Sequence, residues 1–158
     1  MRPRFLEIEG LQSFKNMQQI DFDTLGETGL FGIFGPTGSG KSTVLDAITL
    51  SLYGNVQRAA RGTQGIINTA SNSVRVAFTF DLLKDSIRKT YKVERLYRRK
   101  KDSENAAEAK AARLSEITGD REKIIADKPV EVTAKVEELL GLRLDDFTRS
   151  VVLPQNKF

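Results

Sequence analysis

The chain has 158 residues, of which 39% are apolar, a net charge of +4 and neither cysteine nor histidine. This length and apolar fraction suffice for one folded domain with its own core. The lack of cysteine excludes disulfide bonds and thiolate metal sites, and the lack of histidine removes the commonest general base, so any catalysis must use carboxylates, lysine, hydroxyls, amides or a bound metal ion.

The N-terminal part of the chain predicts a β-hairpin and then a strand, a loop and a helix. The segments FLEIEGL and MQQIDF, joined by the polar link SFKN, are typical of the hairpin. The apolar run GLFGIFG at residues 29–35 is typical of a buried strand that feeds a loop. Apolar residues at helical spacing then predict a helix that ends at Gly54, a glycine suited to a C-terminal cap: Val44, Leu45, Ile48 and Leu52.

The middle of the chain predicts a loop and then an antiparallel pair of strands. Residues 55–73 contain turn formers without periodicity and are predicted to be a loop. VRVAFTF and RKTYKVERLY both alternate around a turn near residues 84–86, which predicts the strand pair. One face of the first strand collects its apolar residues, namely Val74, Val76, Phe78 and Phe80.

The C-terminal third predicts an exposed excursion, a hairpin and a helix. DSENAAEAKAA, at residues 102–112, is polar and alanine-rich, so we expect it to be exposed. ARLSEITGDREKIIA predicts a hairpin around residues 118–120. Pro129 suits the first turn of a helix that Gly141 would end, with an apolar stripe between them.

The strongest motif is GPTGSGKS, which fits the phosphate-loop pattern G-x-x-x-x-G-K-S/T between a predicted strand and a predicted helix. Its glycines let backbone N–H groups point at phosphate oxygens, and the helix N-terminus adds the positive end of its dipole. Lys41 is predicted to neutralise the β- and γ-phosphates of ATP, Ser42 to ligate Mg²⁺, and Thr43 to contact the α-phosphate. The predicted nucleotide-binding residues of this loop are Gly35, Pro36, Thr37, Gly38, Ser39, Gly40, Lys41, Ser42 and Thr43.

Hydrolysis also needs a second metal-binding carboxylate at a strand end and a group that orients water. Asp81, at the end of VAFTFDLL, is the best candidate, but Leu82 stands where an ATPase would have glutamate. An ordinary residue at a strand end is the favoured interpretation of Asp81. The sequence therefore predicts a chain that binds nucleotide and hydrolyses it poorly alone.

Several segments together resemble the SbcC family, the large subunits of bacterial SbcCD nuclease complexes and an SMC-like branch of the ABC-type ATPases: GLQSFKNMQQIDF, GLFGIFGPTGSGKSTVLDAITLSLYG, IIADK and DDFTRSVVLPQNKF. The resemblance implies an α/β P-loop NTPase fold, the N-terminal lobe of an ABC-type head with an antiparallel β portion. Residues 1–158 would be half of a split head, from the phosphate loop to the Q-loop. The coiled coil and the C-terminal lobe, with its signature motif, carboxylate pair and switch histidine, would lie outside this chain.

The same resemblance implies the function and the partners. The chain would belong to an ATP-binding and ATP-hydrolysing subunit of a complex that processes DNA double-strand breaks and hairpins, with ATP controlling head dimerisation, DNA binding and nuclease access. Its partners would be the C-terminal lobe of the same head, the SbcD nuclease subunit, a second head within a heterotetramer, and double-stranded DNA. No apolar run of membrane-spanning length and no signal-peptide pattern occur, so we expect a cytoplasmic, nucleoid-associated protein without membrane contact.

Further site residues follow from the resemblance position by position. Gln155 would be the Q-loop glutamine, which reaches Mg²⁺ and the attacking water. Asn156 stands where the family usually has glycine, and asparagine is tolerant of positive φ. Ser13 and Lys15 occupy positions where related heads place polar and basic residues beside the nucleotide.

A basic stretch between residues 84 and 101 resembles the part of such heads that faces duplex DNA, although a solvated charged surface explains it equally well. Lysine and arginine neutralise phosphates and release counterions without reading sequence. Lys92 and Arg95 point to opposite sides of an alternating strand, so only part of the stretch can act together. Its members are Lys84, Arg88, Lys89, Lys92, Arg95, Arg98, Arg99, Lys100 and Lys101.

Other classes of nucleotide-binding protein fit less well. In transporter-type ABC ATPases the glutamine follows the phosphate-loop lysine within some tens of residues, whereas Gln155 stands far beyond that distance from Lys41. A small P-loop kinase or GTPase would need a guanine-reading N/T-K-x-D motif or a complete lid, and the sequence has neither. Another SMC-like protein and a module that only senses nucleotide remain open alternatives.

Overall fold

The structure, a computed structural model, describes residues 1–25, 32–101 and 103–150, apart from the side chain at position 104. Its strands are β1 (Arg2–Glu9), β2 (Gln18–Asp21), β3 (Ser73–Lys84), β4 (Ile87–Lys100), β5 (Ser103–Thr118) and β6 (Arg121–Ala126). Its α-helices are α1 (Lys41–Tyr53), α2 (Pro129–Leu140) and α3 (Leu144–Ser150). The strands form one six-stranded sheet in the order β2-β1-β3-β4-β5-β6, and each neighbouring pair is antiparallel.

The predicted hairpins are confirmed. β1 pairs with β2, and β1 also pairs with β3, which lies on its other side. The inward residues of β3, Val74, Val76, Phe78 and Phe80, are all fully buried. The β3–β4 turn contains Asp85 and Ser86 at positive φ, in the predicted position. Alternation of apolar and polar residues was sufficient to predict these strands, because one face of each packs on the core.

The helix after the phosphate loop is also confirmed. α1 begins at Lys41 and packs against β3, β4 and α2. It ends at Gly54, which adopts φ 70° and donates its N–H to the Leu50 carbonyl. The following segment is a loop, as predicted, apart from a short 3₁₀ turn at Ala60–Gly62. Because α1 runs from the phosphate loop into the centre of the core, packing fixes the direction of its N-terminus.

Most described residues between 103 and 112 are exposed, as expected, but the segment is not an excursion from the fold, because it belongs to β5. Tyr97 lies opposite Ala109 and Leu96 lies opposite Ala111 in the β4–β5 ladder, and Ala112 is buried. Alanine, glutamate and lysine have low β-propensity, which is why the sequence pointed away from a strand. Hydrogen bonding along the edge of β4 and packing against α2 override that local preference.

The predicted strand at residues 29–35 falls partly outside the described residues, and its described part, residues 32–35, is not a strand. A strand needs a neighbour for its backbone hydrogen bonds. Within the described part of the chain, no strand pairs with this segment. Ile33 is 43% exposed and Phe34 is 92% exposed, so these apolar side chains lack a core to enter.

The C-terminal helices complete the fold. α2 begins at Pro129 and ends at Gly141, as predicted, and its residues Val132 and Val136 are buried. α3, which the sequence analysis did not predict, buries Phe147 against the same core. Among the described residues, no helix is long and apolar enough to cross a membrane.

Candidate phosphate-binding site

The segment between Gly35 and Lys41 forms an exposed loop that leads directly into α1. Gly38 and Gly40 adopt φ of 83° and 92°, a backbone region that side-chain-bearing residues rarely occupy. Gly40 caps α1, and no side chain hydrogen-bonds to the cap. The first N–H groups of a helix lack intrahelical partners and lie at the positive end of its dipole. The loop therefore presents a helix N-terminus that is open to an anion such as phosphate.

Lys41 folds over this loop. Its Nζ donates to the Gly35 carbonyl at 2.6 Å and to the Pro36 carbonyl at 2.7 Å. Both acceptors belong to the loop that would hold the phosphates, so the ammonium group lies at the place where those phosphates would bind. Ser42, the predicted Mg²⁺ ligand, follows Lys41 in the chain and is exposed. The arrangement fits a phosphate chain that would exchange carbonyl contacts of Lys41 for phosphate contacts.

A network that the sequence analysis did not anticipate supports the first turn of α1. Thr43 is buried, and its hydroxyl donates to Gln12 Oε1 at 3.0 Å. Arg58 Nε donates to both carboxylate oxygens of Asp46, at 3.2 and 3.1 Å, and Arg58 also contacts Gln12. Asn68 Nδ2 donates to the Gln12 carbonyl. Gln12 thus connects the first hairpin to the helix. Because the hydroxyl of Thr43 bonds to Gln12, the predicted contact of Thr43 with an α-phosphate would be made by its backbone N–H.

The loop between β1 and β2 lies against the phosphate loop. A Cβ atom added to Gly40 would be 2.5 Å from the ring of Phe14, so the phenyl ring lies directly on the Gly40 backbone. Ser13 and Lys15 flank Phe14 in the chain and are exposed. This contact brings the hairpin loop to the site, and the roles of Ser13 and Lys15 beside a nucleotide stay predictions.

We expect Gly40→Ala to destabilise the fold more than Gly38→Ala. Both substitutions force alanine into positive φ, which costs about 1–2 kcal/mol, but only the Gly40 methyl would meet Phe14, since nothing lies within 4 Å of a Cβ at Gly38. The clash should add about 1–3 kcal/mol, measured as the difference in urea unfolding free energy. Adding Phe14→Ala to both variants should remove most of that difference. Equal unfolding midpoints for the two single variants would contradict a supporting role for Phe14.

The predicted catalytic groups are not assembled within the described residues. Gln155 and Asn156 lie outside them. Asp81 is buried in β3, where it accepts hydrogen bonds from Arg4 at 2.9 Å and from Thr90 at 2.8 Å. Asp81 lies opposite Arg2 at the start of β1. The other end of β1, roughly 20 Å away, leads into the hairpin loop that contacts the phosphate loop. Asp81 is therefore a structural ion-pair partner, and the described residues contain no group of three or more acidic residues placed to hold a metal ion.

The basic stretch divides into separate environments. Arg95 is only 3% exposed and faces the core, whereas Lys92 lies on the other side of β4, as predicted. Lys89 pairs with Glu116, and Lys92 pairs with Glu94, each at 3.0 Å. The exposed members near the end of β4 are Arg98, Lys100 and Lys101. This end of β4 pairs with the start of β3, which lies next to Gly10 and the first hairpin loop.

The chain matches one family model and two relatives along nearly its whole length. Residues 6–158 match a family described as an AAA domain. The chain is 52% identical over all its 158 residues to the SbcC polypeptide of the SbcCD nuclease of Bacillus subtilis (strain 168), of which it covers 14%. It is 49% identical over the same length to the SbcC polypeptide of the SbcCD nuclease of Clostridium acetobutylicum, of which it covers 13%. The SMC head domain from Thermotoga maritima aligns with a TM-score of 0.38 and 25% identity, covering 69% of this chain and 37% of that one.

Proposed function

The chain belongs to the AAA domain family and is similar along its whole length to the SbcC polypeptides of SbcCD nucleases, and from this premise we propose that it is the N-terminal lobe of an SbcC ATPase head. The observation that carries the proposal is the phosphate loop that leads through Gly40 into α1, whose N-terminus has no side-chain cap, with Lys41 over the carbonyls of the loop. A loop of this kind holds the phosphates of ATP through backbone N–H groups and a lysine. Lys41 would bind the β- and γ-phosphates, and Ser42 together with Gln155 would ligate Mg²⁺.

The proposed head is incomplete in this chain. The chain spans about 14% of the length of the relatives it matches. Ile33 and Phe34 precede the phosphate loop without a partner strand among the described residues, and their exposure supports a missing neighbour. We propose that the C-terminal lobe of the same protein supplies that neighbour and, with it, the carboxylate that hydrolysis requires.

The whole protein would act with further partners. Two heads would hold ATP between them, each phosphate loop facing the signature motif of the other. The SbcD subunit would carry the nuclease centre, since this chain has no histidine and its described residues contain no acidic cluster for a metal pair. ATP binding would then control head dimerisation, DNA binding and access of DNA ends to the nuclease, in the cytoplasm at the nucleoid.

The test of this function uses the full-length protein assembled with its nuclease subunit. Degradation of linear duplex DNA is measured with ATP, with ADP and without nucleotide, and ATP turnover is measured in the same samples. We expect turnover and degradation with ATP, and little degradation with ADP. Degradation that is equal in all three conditions, or the absence of turnover, would contradict the proposed role of the phosphate loop.

Duplex DNA should contact the end of β4 nearest the phosphate loop. Arg98, Lys100 and Lys101 are exposed there, whereas the turn that carries Lys84 and Arg88 lies about 40 Å away at the other end of β4. Since each phosphate contact contributes about 0.9 to the slope of log K against log salt, replacing Arg98, Lys100 and Lys101 with alanine should lower that slope by up to about 2.7.

The matched control replaces Lys84, Arg88 and Lys89 with alanine, which removes the same charge from the opposite end of β4. DNA affinity is measured for the assembled complex by fluorescence anisotropy at a series of salt concentrations. The control should retain the slope of the unmodified complex. If both triple variants weaken binding to the same extent, then overall charge rather than the end of β4 determines DNA binding.

A further inference from the structure

Arg95 holds the C-terminal end of the phosphate-loop helix. Its guanidinium is almost completely buried, and Nε donates to the Ser51 carbonyl at 2.7 Å while Nη2 donates to the Leu52 carbonyl at 3.0 Å. Both carbonyls belong to the last turn of α1, which has no basic residue of its own. Such carbonyls lack intrahelical partners and form the negative end of the helix dipole. A cation from β4 therefore satisfies the end of α1 that lies opposite the phosphate loop.

The same guanidinium also holds the N-terminal end of α2. Nη2 donates to Thr133 Oγ1 at 2.9 Å, and Nη1 contacts the Pro129 carbonyl at 3.4 Å. The hydroxyl of Tyr97 accepts a further hydrogen bond. Burial lowers the pKa of Arg95, and Tyr97 opposes that shift. The partners of Arg95 in the described part of the chain are carbonyls and hydroxyls, so the buried charge serves to join α1 and α2 rather than to pair with a carboxylate.

Further contacts attach α3 to the same end of α1. Tyr53, the last residue of α1, donates its hydroxyl to the Leu142 carbonyl at 3.0 Å and packs its ring 5.3 Å from that of Phe147. Gln57 donates to Thr148 at 3.2 Å. The connection between α2 and α3, and α3 itself, are thereby fixed to the C-terminal end of α1. In the sequence, Gln155 follows shortly after α3.

We infer that Arg95 is a positioning residue for ATP hydrolysis, which sets the placement of α2 and α3 relative to the phosphate loop through α1. The inference rests on the proposed ATPase function. α1 has 13 residues and is about 20 Å long, so Arg95 acts from the far end of the helix and touches no nucleotide. Arginine suits this role because its planar fork donates in several fixed directions at once, whereas a lysine ammonium cannot reach α1 and α2 in the same geometry.

The test compares Arg95→Lys with the unmodified protein in the full-length complex with its nuclease subunit. We expect kcat for ATP to fall by roughly 10- to 100-fold, as misplacement by about 1 Å does elsewhere, while KM and the affinity for a non-hydrolysable ATP analogue change less than about twofold. Hydrogen exchange supplies a second readout. The ATP analogue should protect amides of residues 41–44 in both proteins, but should protect residues 129–150 only in the unmodified one.

Two further variants keep the inference testable if Arg95→Lys folds poorly. Thr133→Val preserves the side-chain shape and the bonds of Arg95 to α1, but it removes the bond of Arg95 to Thr133 Oγ1 in α2. We expect kcat to fall less than in Arg95→Lys, with KM unchanged. Arg75→Lys is the matched control, because Arg75 lies on the opposite face of the sheet with a half-exposed side chain paired with Glu94, and it should leave kcat unchanged.

The outcomes separate this inference from the function on which it rests. If the unmodified complex does not turn over ATP, the proposed function fails. If it does, and Arg95→Lys and Thr133→Val retain kcat, Arg95 has no positioning role. Equal losses in analogue affinity and in kcat would show that Arg95 only maintains the fold of the binding site, which would also overturn the inference.

Discussion

Replacing Lys41 with methionine or alanine in the assembled complex is expected to lower ATP turnover by at least ~100-fold, the effect typical of losing one group that stabilises transition-state charge. Lys41 is the cation that the structure places on the phosphate loop, where its Nζ lies 2.6 Å from the Gly35 carbonyl. The charge that develops on the transferred phosphoryl group needs a cation held at that place. DNA degradation that depends on ATP should be lost to the same extent.

The fold should tolerate the same change. The bonds of Lys41 join it to carbonyls of an exposed loop, and such exposed contacts contribute below about 1 kcal/mol. Thermal unfolding of the Lys41→Met protein should therefore stay close to that of the unmodified protein. Lys128→Met is the matched control, since Lys128 is an exposed lysine at the start of α2 with only a surface ion pair. Undiminished ATP turnover in Lys41→Met would show that the phosphate loop takes no part in ATP hydrolysis.

Local sequence patterns were sufficient to predict the elements whose partners are close in the chain. Alternation around residues 84–86 predicted the β3–β4 hairpin because one face of each strand enters the core. Gly54 predicted the end of α1 because only a residue tolerant of positive φ fits that cap. The loop that leads into α1 was equally predictable, since its motif lies in one short segment directly before a helical pattern, while the roles of its lysine and serine in nucleotide binding stay predictions.

The rest of the fold depends on long-range contacts that periodicity does not reveal. The alanine-rich half of β5 forms a strand only because β4 offers it a long edge. The predicted strand before the phosphate loop fails in residues 32–35 because a strand requires a neighbour, and the described residues supply none. Both errors come from treating a segment by its own propensity where pairing decides the outcome.

The candidate site was predictable only in its central loop. Gln12 reaches Thr43 from a loop far away in the sequence, and Arg58 reaches Asp46 from the segment after α1. Alternation placed Arg95 on the opposite side of β4 from Lys92 but did not show that this side is the core. A basic residue in a basic stretch is usually exposed. The carbonyls at the end of α1, which make the burial of Arg95 favourable, are visible only in the assembled fold.

We expect residues 1–158 alone to hydrolyse ATP at least ~10²-fold more slowly than the assembled head. Phosphoryl transfer depends on charge stabilisation and on an oriented water molecule. The described residues offer Lys41, Ser42 and the open N-terminus of α1 for the first task. For the second task the sequence offers Gln155. Asp81 is not available for it, because it accepts hydrogen bonds from Arg4 and Thr90 and lies far from the phosphate loop. Loss of a general base typically lowers the reaction rate by ~10²–10⁴-fold, so the expected difference in ATP turnover is large enough to measure.

The measurement follows phosphate release by the purified chain, by the C-terminal lobe and by their mixture over a range of protein concentrations. Turnover in the mixture should rise more steeply than in proportion to protein concentration, because each ATP would lie between two heads and the active species would be a dimer of reconstituted heads. The same mixture with Lys41→Ala in this chain controls for activity brought in by the other lobe, and it should remain near the background rate. Exposed Phe34 gives a structural reason for the requirement, since binding of the second lobe would cover this apolar side chain before the phosphate loop. If the purified chain turns over ATP at the rate of the reconstituted head, the site is complete within residues 1–158 and the half-head interpretation is wrong.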